Sequence, residues 1–276
     1  MINGVAKPAP RALDRLIATV VTQFRPIQFR GKGALAELIL PKTGKREALL
    51  FGSRFSLDLS DYLQRHMYAG SFERQESKAV RERVRAGMTF VDVGANVGYY
   101  TALAARLVGP SGFVFAFEPS DYAFPRLTSM IDTNGLTCVR AIQCGLADVA
   151  GERYLYGAVD EEFCDLRTAT MVPSGNPHRA VVRTETLDRM AEQLNIKQID
   201  FMKIDVDGFE PLVLQGAAGL LADGLISNIM LECAEYWFNR MNTSTVETVE
   251  YLRSRGFSKI SRMGGSSEFS TYIFSR

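Results

Sequence analysis

Hydrophobic and polar positions follow one pattern between residues 89 and 235 and a different one before it. In this central part, apolar runs of strand length alternate with segments of helix length, the pattern of a parallel sheet covered by helices on both faces. The predicted strands are TFVDVG, GFVFAFEP, VRAIQCGLA, IDFMKIDV and SNIMLECAE. The predicted helices are YYTALAARLV, AFPRLTSMIDTNG, PLVLQGAAGLL and TVETVEYLRSRG. We therefore expect an α/β fold with a doubly wound sheet, which ends in an antiparallel hairpin of FSKISRM and FSTYIFSR.

Residues 1–75 are expected to form an N-terminal extension that packs on the core, and residues 76–276 the main domain. Apolar residues at helical spacing predict a first amphipathic helix of about three turns, and they are Leu13, Leu16, Ile17, Val20, Val21 and Phe24. Two apolar runs, ALAELIL and EALLFG, are joined by the turn signal PKTGK and predict a β-hairpin. Further helices are predicted at SDYLQRHMYAG and ERQESKAVRERVRAGM.

The apolar stripe of the first predicted helix has three candidate partners. We favour packing on the protein's own core. The alternatives are an arm that forms a homodimer and peripheral contact with a membrane through residues 11–24, which have basic residues around them. No run of about 18 apolar residues is present, so we expect no transmembrane segment and a cytoplasmic protein.

The composition narrows the class of protein. With 46% hydrophobic and 23% charged residues, the chain is typical of a globular protein. A net charge of +1 supplies no overall field that would gather a nucleic acid, so no nucleic-acid partner is expected. The four cysteines have no metal-ligand spacing and indicate reduced thiols; they are Cys138, Cys144, Cys164 and Cys233.

A glycine-containing loop, GANVG, follows the first strand of the central part and precedes a helix. In doubly wound sheets, ligands bind beyond the carboxyl ends of the strands at such loops. Gly94 and Gly98 permit positive φ angles and a close approach to a ligand, and Asn96 tolerates a left-handed backbone. The spacing is not the GxGxxG of dinucleotide sites, because Tyr99 occupies the place of the third glycine.

The acidic residues at three strand ends indicate the class of ligand. Asp92 would repel the pyrophosphate of a dinucleotide, but it would attract a phosphate-free ligand with a cationic end, such as S-adenosylmethionine. Glu118 ends the second strand, where a carboxylate accepts ribose hydroxyls. Asp148 ends the third strand, where it either accepts from the adenine amine or forms a turn before Gly151.

Five blocks of the sequence together resemble the FkbM family of S-adenosylmethionine-dependent methyltransferases. They are FVDVGANVGYYT, FVFAFEPS, GLADVAG, IDFMKIDVDGFEPLVLQGA and IMLECAEYW. The preceding FSLDLSDYLQRHMYAGSFE resembles the segment that leads into the core of that family. The resemblance implies a class I methyltransferase fold, which is Rossmann-like, with a seven-stranded sheet whose last strand is antiparallel. It also implies methyl transfer, usually to oxygen, on sugars, polyketides or other secondary-metabolite and glycoconjugate acceptors.

The resemblance also implies roles for single residues toward S-adenosylmethionine. Four residues at the glycine loop would surround its methionine end, namely Asp92, Gly94, Asn96 and Gly98. Glu118 would hold the ribose, and Asp148 would lie beside the adenine. Glu73, in the lead-in segment, would be a further cofactor contact.

Further acids gather at the ends of the fourth and fifth strands, and they are Asp205, Asp207, Glu210, Glu232 and Glu235. Asp205 could act as a general base that takes the proton of an acceptor hydroxyl. Asp205 and Asp207 could instead bind Mg²⁺ or Ca²⁺. In a third interpretation, Asp207 and Gly208 form a turn and Glu210 is a first-turn helix acid. We favour a base or cofactor-proximal role for Asp205, a structural role for Glu210 and no required metal.

The segment from Tyr156 to Val182 is expected to be irregular and to shape a substrate pocket. His178 within it is a candidate base or substrate contact, or an ordinary exposed loop histidine. Tyr236 and Trp237 line an acceptor pocket or belong to the core. The rival functions are an NAD(P)-dependent oxidoreductase, disfavoured by the loop spacing and Asp92, and a methyltransferase-like domain that binds without turnover.

Overall fold

The computed structural model describes residues 20–21, 27, 29, 31–157, 169–173, 179–265 and 268–276 of the chain. The chain divides into two compact units. The first unit comprises Met1–Leu49 and Arg54–Arg74, and the second comprises Leu50–Ser53 and Gln75–Arg276. The expected boundary between an N-terminal extension, residues 1–75, that packs on the core and a main domain, residues 76–276, stays a prediction.

The first unit contains two helices and most of a β-hairpin. Helix α1 spans Lys32–Ile39, strands β1 and β2 span Lys45–Leu50 and Ser53–Asp58, and helix α2 spans Tyr62–Ala69. The hairpin turns at residues 51 and 52, whose φ angles are 55° and 81°. Two successive positive φ angles are what a two-residue type I′ turn requires.

The predicted hairpin is wrong in its first strand. The run ALAELIL forms α1, and the strand within EALLFG pairs with the residues that follow it. Alanine, leucine and glutamate favour a helix, and periodicity does not separate helix from strand in so short an apolar run. Of the predicted N-terminal stripe, only Val20 and Val21 lie among the described residues, and both are helical.

The chain from residue 74 onward forms an α/β structure. Its helices are α3 Arg74–Arg83, α4 Tyr99–Val108, α5 Phe124–Thr133, α6 Leu187–Leu194, α7 Glu210–Gln215, α8 Ala218–Ala222, α9 Glu235–Arg240 and α10 Thr245–Ser254. Its strands are β3 Thr89–Val93, β4 Phe113–Phe117, β5 Val139–Ile142, β6 Gly145–Leu146, β7 Gly151–Gly157, β8 Ala169–Thr170, β9 Arg179–Glu185, β10 Phe201–Ile204, β11 Asn228–Ala234, β12 Lys259–Gly265 and β13 Phe269–Ser275.

Seven strands form the central sheet in the order β5-β4-β3-β10-β11-β13-β12. Strand β13 runs antiparallel to both of its neighbours, and the strands from β5 to β11 pair in parallel. The strand order reverses between β3 and β10, so the loops after these two strands meet at the switch point where ligands bind. The predicted fold class, a doubly wound seven-stranded sheet of class I methyltransferase type with a C-terminal antiparallel hairpin, is confirmed.

Alternate residues of β3 and β10 face opposite sides of the sheet. Phe90 and Phe201 stack with their ring centroids 5.5 Å apart, in the core that includes residues of α4. Two residues further along, Asp92 and Lys203 pair in register. Because side chains alternate with a period of two, these charged residues share the α4 side of the sheet with the two phenylalanines.

A second sheet, with strand order β6-β9-β7-β8, was not predicted. Strands β7 and β9 pair antiparallel along most of their length. The predicted single strand VRAIQCGLA is divided, since β5 belongs to the central sheet and β6 to the second one. The expectation that Tyr156–Val182 is irregular is wrong where β8 and the first part of β9 lie.

Two expectations from composition concern the whole chain. Within the residues that the structure describes, no helix combines the length and the apolar character needed to cross a bilayer. Cys138, Cys144 and Cys233 are free thiols, and Cys164 lies outside the described residues.

Candidate cofactor and active site

The loop after β3 is packed directly against the chain that leaves β10. Gly94 has a φ of 79°, and a Cβ atom there would lie 2.0 Å from the carbonyl oxygen of Asp205. The N–H groups of Gly94 and Ala95 each donate to the carbonyl oxygen of Phe117 at 3.0 Å. Only glycine fits this position, and the ends of β3, β4 and β10 are thereby held together.

The remaining loop residues have the backbone that the sequence predicted. Asn96 is left-handed with a φ of 49°, and Gly98 has a φ of 92° at the N-terminus of α4. A Cβ atom at Gly98 would lie 2.5 Å from Cε of Met130 and 2.8 Å from Cδ1 of Leu127. Packing of α4 against α5, in addition to the φ angle, therefore requires glycine at this position.

Asp92 is fully buried beneath the loop. Its Oδ2 accepts a 2.6 Å hydrogen bond from Oγ1 of Thr101, and its Oδ1 has no hydrogen-bond partner among the described residues. Burial raises the pKa of Asp92, and the charge of Lys203 and the Thr101 hydrogen bond act in the opposite direction. Oδ1 is thus a buried acceptor that no group among the described residues satisfies.

Glu118 connects the loop after β4 with the loop after β3. Its Oε2 accepts from the backbone N–H of Asn96 at 2.8 Å, and its Oε1 accepts from that of Ser120 at 2.9 Å. Burial raises the pKa of Glu118 to about 7, although both backbone hydrogen bonds lower it. Each carboxylate oxygen has a second lone pair, so Glu118 can also accept from ligand hydroxyls.

A buried lysine that the sequence analysis did not identify lies among these acids. Lys203 is 5% exposed; its Nζ donates to Oδ2 of Asp205 at 2.8 Å and lies 4.7 Å from the ring centroid of Tyr100. Its charge lowers the pKa of three nearby carboxylic acids. The available sequence signal was a single lysine in the apolar strand FMKI, two residues before an acid.

Asp207 combines a turn position with an unusual carboxyl group. Asp207 and Gly208 both have positive φ angles, 48° and 99°, so they form the turn that one interpretation predicted. Burial and the charge of Asp205 together raise the pKa of Asp207 to about 7, although the charge of Lys203 lowers it. Burial and neighbouring charges, rather than a hydrogen bond, set this pKa.

Glu210 has the structural role that was predicted for it. It is the first residue of α7 and is 1% exposed. Its Oε1 accepts from the backbone N–H of Val206 at 3.0 Å, and its Oε2 has no hydrogen-bond partner among the described residues. Burial raises the pKa of Glu210 to about 8. The group therefore holds the turn after β10 in place.

The second sheet and α9 form a wall beside Asp207. Oγ1 of Thr170, in β8, donates to the backbone carbonyl of Asp207 at 2.7 Å. A Cβ atom at Gly208 would lie 2.4 Å from Cβ of Trp237 and 3.0 Å from Cγ2 of Val172. The turn that carries Asp207 is therefore enclosed by residues from segments that are distant in sequence.

The outer part of this wall is aromatic and cationic. The rings of Tyr236 and Trp237 meet edge to face with their centroids 4.9 Å apart. The guanidinium of Arg240 lies 5.8 Å and 6.0 Å from these two ring centroids, and it donates to the carbonyl oxygen of Pro173 at 2.6 Å. Tyr236 is 58% exposed, so the wall presents an aromatic face to solvent.

Asp148 is engaged in an ion pair. Its Oδ1 accepts from Nη2 of Arg153 at 2.6 Å, and each side chain is 30% exposed. The guanidinium of Arg153 lies 5.2 Å from the ring centroid of Phe209. A contact between Asp148 and adenine stays a prediction, and it would have to share this carboxylate with Arg153.

The roles assigned to two predicted site residues, Glu73 and His178, stay predictions. Glu73 belongs to the first unit, where it has a φ of 33°, and its cofactor contact stays a prediction. His178 lies outside the described residues. The divalent-cation interpretation has a competitor in Lys203, which already supplies a positive charge to Oδ2 of Asp205.

The fold and the site together define a class I methyltransferase. The strand before the switch-point loop carries a buried acid near its end, and a negative charge there suits the cationic methionine end of S-adenosylmethionine and opposes a pyrophosphate. Glu118, at the next strand end, suits a ribose. The protein is an S-adenosylmethionine-dependent methyltransferase.

The comparison with protein families gives the particular family. A model described as the methyltransferase FkbM domain matches residues 92–259, more than half of the chain. The chain belongs to the FkbM family of methyltransferases, and both the predicted resemblance and the predicted cofactor are confirmed.

Two curated relatives are fungal methyltransferases. The chain is 28% identical over 183 residues to Methyltransferase 1 of Beauveria bassiana (strain ARSEF 2860), covering 60% of this chain and 71% of the relative. It is 29% identical over 153 residues to Methyltransferase sdnD of Sordaria araneosa, covering 46% of this chain and 59% of the relative. The chain thus spans less than two thirds of the second relative.

Solved structures resemble the chain at low sequence identity. One is the methyltransferase FkbM from Methylobacillus flagellatus KT, with 13% identity and a TM-score of 0.48, covering 94% of this chain and 60% of that one. Another is Aeropyrum pernix fibrillarin with natively bound S-adenosyl-L-methionine, with 11% identity and a TM-score of 0.45, covering 86% of this chain and 84% of that one.

Proposed function

We propose that the protein methylates a hydroxyl oxygen on a sugar, a polyketide or another secondary-metabolite or glycoconjugate acceptor. Bound S-adenosylmethionine supplies an electrophilic methyl group. A neutral hydroxyl is a weak nucleophile. Methylation of its oxygen is therefore faster when a base removes the hydroxyl proton as the oxygen attacks the methyl group. The observation that most supports this proposal is the raised pKa of the Asp207 carboxyl group, which lies just after β10.

Asp207 has the properties of a general base at neutral pH. Its pKa is raised to about 7, and a base is most effective when its pKa lies near the working pH. It follows β10, whose end is packed against the cofactor loop at Gly94. Asp205, the base favoured from the sequence, has Oδ2 bound by Lys203, so we assign Asp205 to orienting that lysine and Asp207 to proton removal.

The wall beside Asp207 supports the acceptor class. The exposed face of Tyr236, with Trp237 and Arg240 behind it, suits the C–H faces of a sugar or the flat surface of a polyketide. Arginine donors in the same wall suit hydroxyl and carbonyl oxygens. A small-molecule or glycan acceptor fits this surface, and we propose no nucleic-acid acceptor.

The proposal is tested by incubating the full chain with methyl-labelled S-adenosylmethionine and a panel of hydroxylated sugars, glycans and polyketides. Each hydroxyl compound is paired with the matching amine, and a structured RNA is included. Label on an oxygen, lost in Asp207→Asn but not in Asp223→Asn on the surface, supports the proposal. Preferred labelling of the amines or of RNA would overturn it.

The same assay addresses the rival functions. Cofactor binding without turnover of any acceptor would support the binding-domain alternative, and hydride exchange with NAD(P) would support the oxidoreductase. The cytoplasmic location is also proposed, supported by the absence of metal-ligand spacing among the four cysteines and by the free thiols of the three described ones. Fractionation of the cells that produce the protein checks it.

A further inference from the structure

The first unit exposes a group of large apolar side chains around α1. We name this group the α1 face, and its members are Val20, Ile27, Phe29, Leu35, Leu38 and Ile39. Leu38 is 82% exposed and Ile27 is 52% exposed. Single exposed apolar residues are ordinary, but a contiguous group marks an interaction surface.

The helix α1 is oriented opposite to an ordinary surface helix. Its two charged residues, Lys32 and Glu37, are both bound within the first unit. Nζ of buried Lys32 donates to the carbonyl oxygens of Ile27 at 3.0 Å and Gly70 at 3.4 Å. Arg65 holds both oxygens of Glu37, at 3.0 Å and 3.1 Å. The charges thus face the protein and the leucines face outward, where an ordinary helix would present its polar side to solvent.

An apolar cleft opens beside this helix. It has a volume of about 230 Å³ and lies between α1, the helical residues Val20 and Val21, and α2. Its lining is almost wholly apolar, with Phe29, Leu35 and Ile39 along its sides. The α1 face is therefore not flat, and it can receive apolar groups from outside the chain.

The charge of the first unit indicates which apolar partner would cover this face. In its two segments, Met1–Leu49 and Arg54–Arg74, the first unit has twelve lysines and arginines and six acidic residues, whereas the whole chain has a net charge of only +1. Lys42 and Lys45, just after α1, are exposed. Basic residues around an exposed apolar helix are the features of a helix that lies in the interface of an anionic bilayer.

We propose that the α1 face docks on the surface of an anionic membrane. The leucines and isoleucines enter the boundary between headgroups and acyl chains, and the lysines lie at the headgroup level. A second copy of the chain would bring two units with an excess of basic residues together, which is unfavourable. A nucleic acid would satisfy the lysines but leave the apolar residues exposed. The membrane satisfies both, and the α1 face extends the candidate contact from residues 11–24 to α1.

The test is co-sedimentation of the full chain with vesicles of phosphatidylcholine alone and with vesicles that also contain phosphatidylserine. We expect clear binding only to the second kind, and weaker binding in high salt. Leu38→Ser should lower the partition coefficient about tenfold, since a leucine side chain leaves the bilayer. Removing both exposed lysines, as Lys42→Ser with Lys45→Ser, should lower it about fivefold per charge at low salt.

A matched control comes from the second unit. Val246 is 69% exposed and lies in α10, so Val246→Ser removes an exposed apolar side chain of similar size. Its vesicle binding should equal that of the unsubstituted chain. Melting temperature and S-adenosylmethionine binding, measured for every variant, show that the fold is intact.

Other outcomes would overturn the proposal. They include failure to bind either kind of vesicle, or binding that Leu38→Ser and Val246→Ser weaken equally. A dimer in light scattering that Leu38→Ser dissociates would assign the face to a second copy. RNA binding that depends on the two lysines but not on Leu38 would assign the surface to nucleic acid.

Discussion

The acids on the two sides of the site differ in how they are held. On the cofactor side, Glu118 has a hydrogen bond on each oxygen, and Asp92 is bound by Thr101. On the acceptor side, the pKa of Asp207 is set by burial and neighbouring charges, without a hydrogen-bond contribution, and its backbone has a φ of 48°. Fixed acids suit recognition of a ligand, whereas an acid without such bonds can exchange a proton.

This difference gives each acid a separate experimental signature. Substitutions on the cofactor side should change binding of S-adenosylmethionine, and substitutions on the acceptor side should change turnover. Lys203 lies between the two sides, because it pairs in register with Asp92 and donates to Asp205. Its removal should therefore affect both signatures.

Asp207→Asn should cause the largest change. Loss of a general base lowers the turnover rate by about 100- to 10,000-fold. Binding of S-adenosylmethionine, measured by calorimetry, should stay within a few fold, roughly the spread of a surface substitution. In the unsubstituted enzyme, kcat/KM should rise with pH through about 7, as the Asp207 carboxyl loses its proton. A flat profile between pH 6 and 8 would contradict the assigned role.

Gly94→Ala tests whether the loop and β10 need their close contact. The new Cβ would lie 2.0 Å from the carbonyl oxygen of Asp205, and the φ is positive. We expect a loss of about 3 kcal/mol in the free energy of unfolding, from overpacking and the left-handed backbone together. Gly135→Ala is the control, since its φ is 57° and nothing lies within 4 Å. Equal losses in urea unfolding would show that the contact is unimportant.

Glu210→Gln separates stability from catalysis on the acceptor side. The pKa of Glu210 is about 8 in the folded chain against an ordinary value of 4.5, so the folded state holds this proton more tightly. Stability should therefore fall as pH rises from about 4.5 to 8. Glutamine keeps the acceptor for Val206 N–H and removes this dependence, a gain on the order of 4 kcal/mol at pH 8. Denaturation at pH 5 and pH 8 measures it, and an unchanged slope would refute it.

Asp92→Asn tests the electrostatic part of cofactor recognition. S-adenosylmethionine carries a sulfonium charge that S-adenosylhomocysteine lacks. Removing the negative charge should weaken the first ligand about tenfold and the second less, because about 1.4 kcal/mol corresponds to tenfold in affinity. Calorimetric titration with both ligands gives the ratio. Equal weakening of the two would point to a steric role for Asp92.

Lys203→Met should change cofactor binding and also shift the pH dependence of turnover. Lys203 lowers the pKa of Asp207, so its removal should move the acidic limb of the pH profile to higher pH. Lys203→Arg keeps the charge and should keep the profile close to that of the unsubstituted enzyme. A profile that moves to lower pH in the methionine variant would exclude the assigned interaction.

The cofactor side was predictable because its residues are local in sequence. A strand, a glycine turn and a helix follow one another within TFVDVGANVGYYT. Each acid lies at or near the end of an apolar run of strand length, so its position at the edge of the sheet could be predicted. The positive φ of Asn96 and the structural role of Glu210 also follow from residue type and position. The pattern of apolar runs likewise gave the positions of the central strands along the chain.

The acceptor side was less predictable because it is built from distant segments. Strand β9 pairs with β7 across more than twenty residues, and no local pattern reports such a pairing. Lys203 is a neighbour of Asp92 because β10 and β3 pair in a register that places the two residues side by side. Sequence spacing does not reveal this register. The prediction of the first hairpin was wrong for a different reason. The run ALAELIL has the length of a strand, but its residues favour a helix.

The two hydrogen bonds on Glu118 lower the entropy cost of cofactor binding. One carboxylate ties the N–H of Asn96 to the N–H of Ser120, so two loops that follow different strands move as one body. The entropy of ordering these loops is lost when the chain folds and need not be lost again when the nucleoside arrives. Because the Glu118 carboxylate joins these two loops, the cofactor-free protein already has a conformation close to the cofactor-bound one.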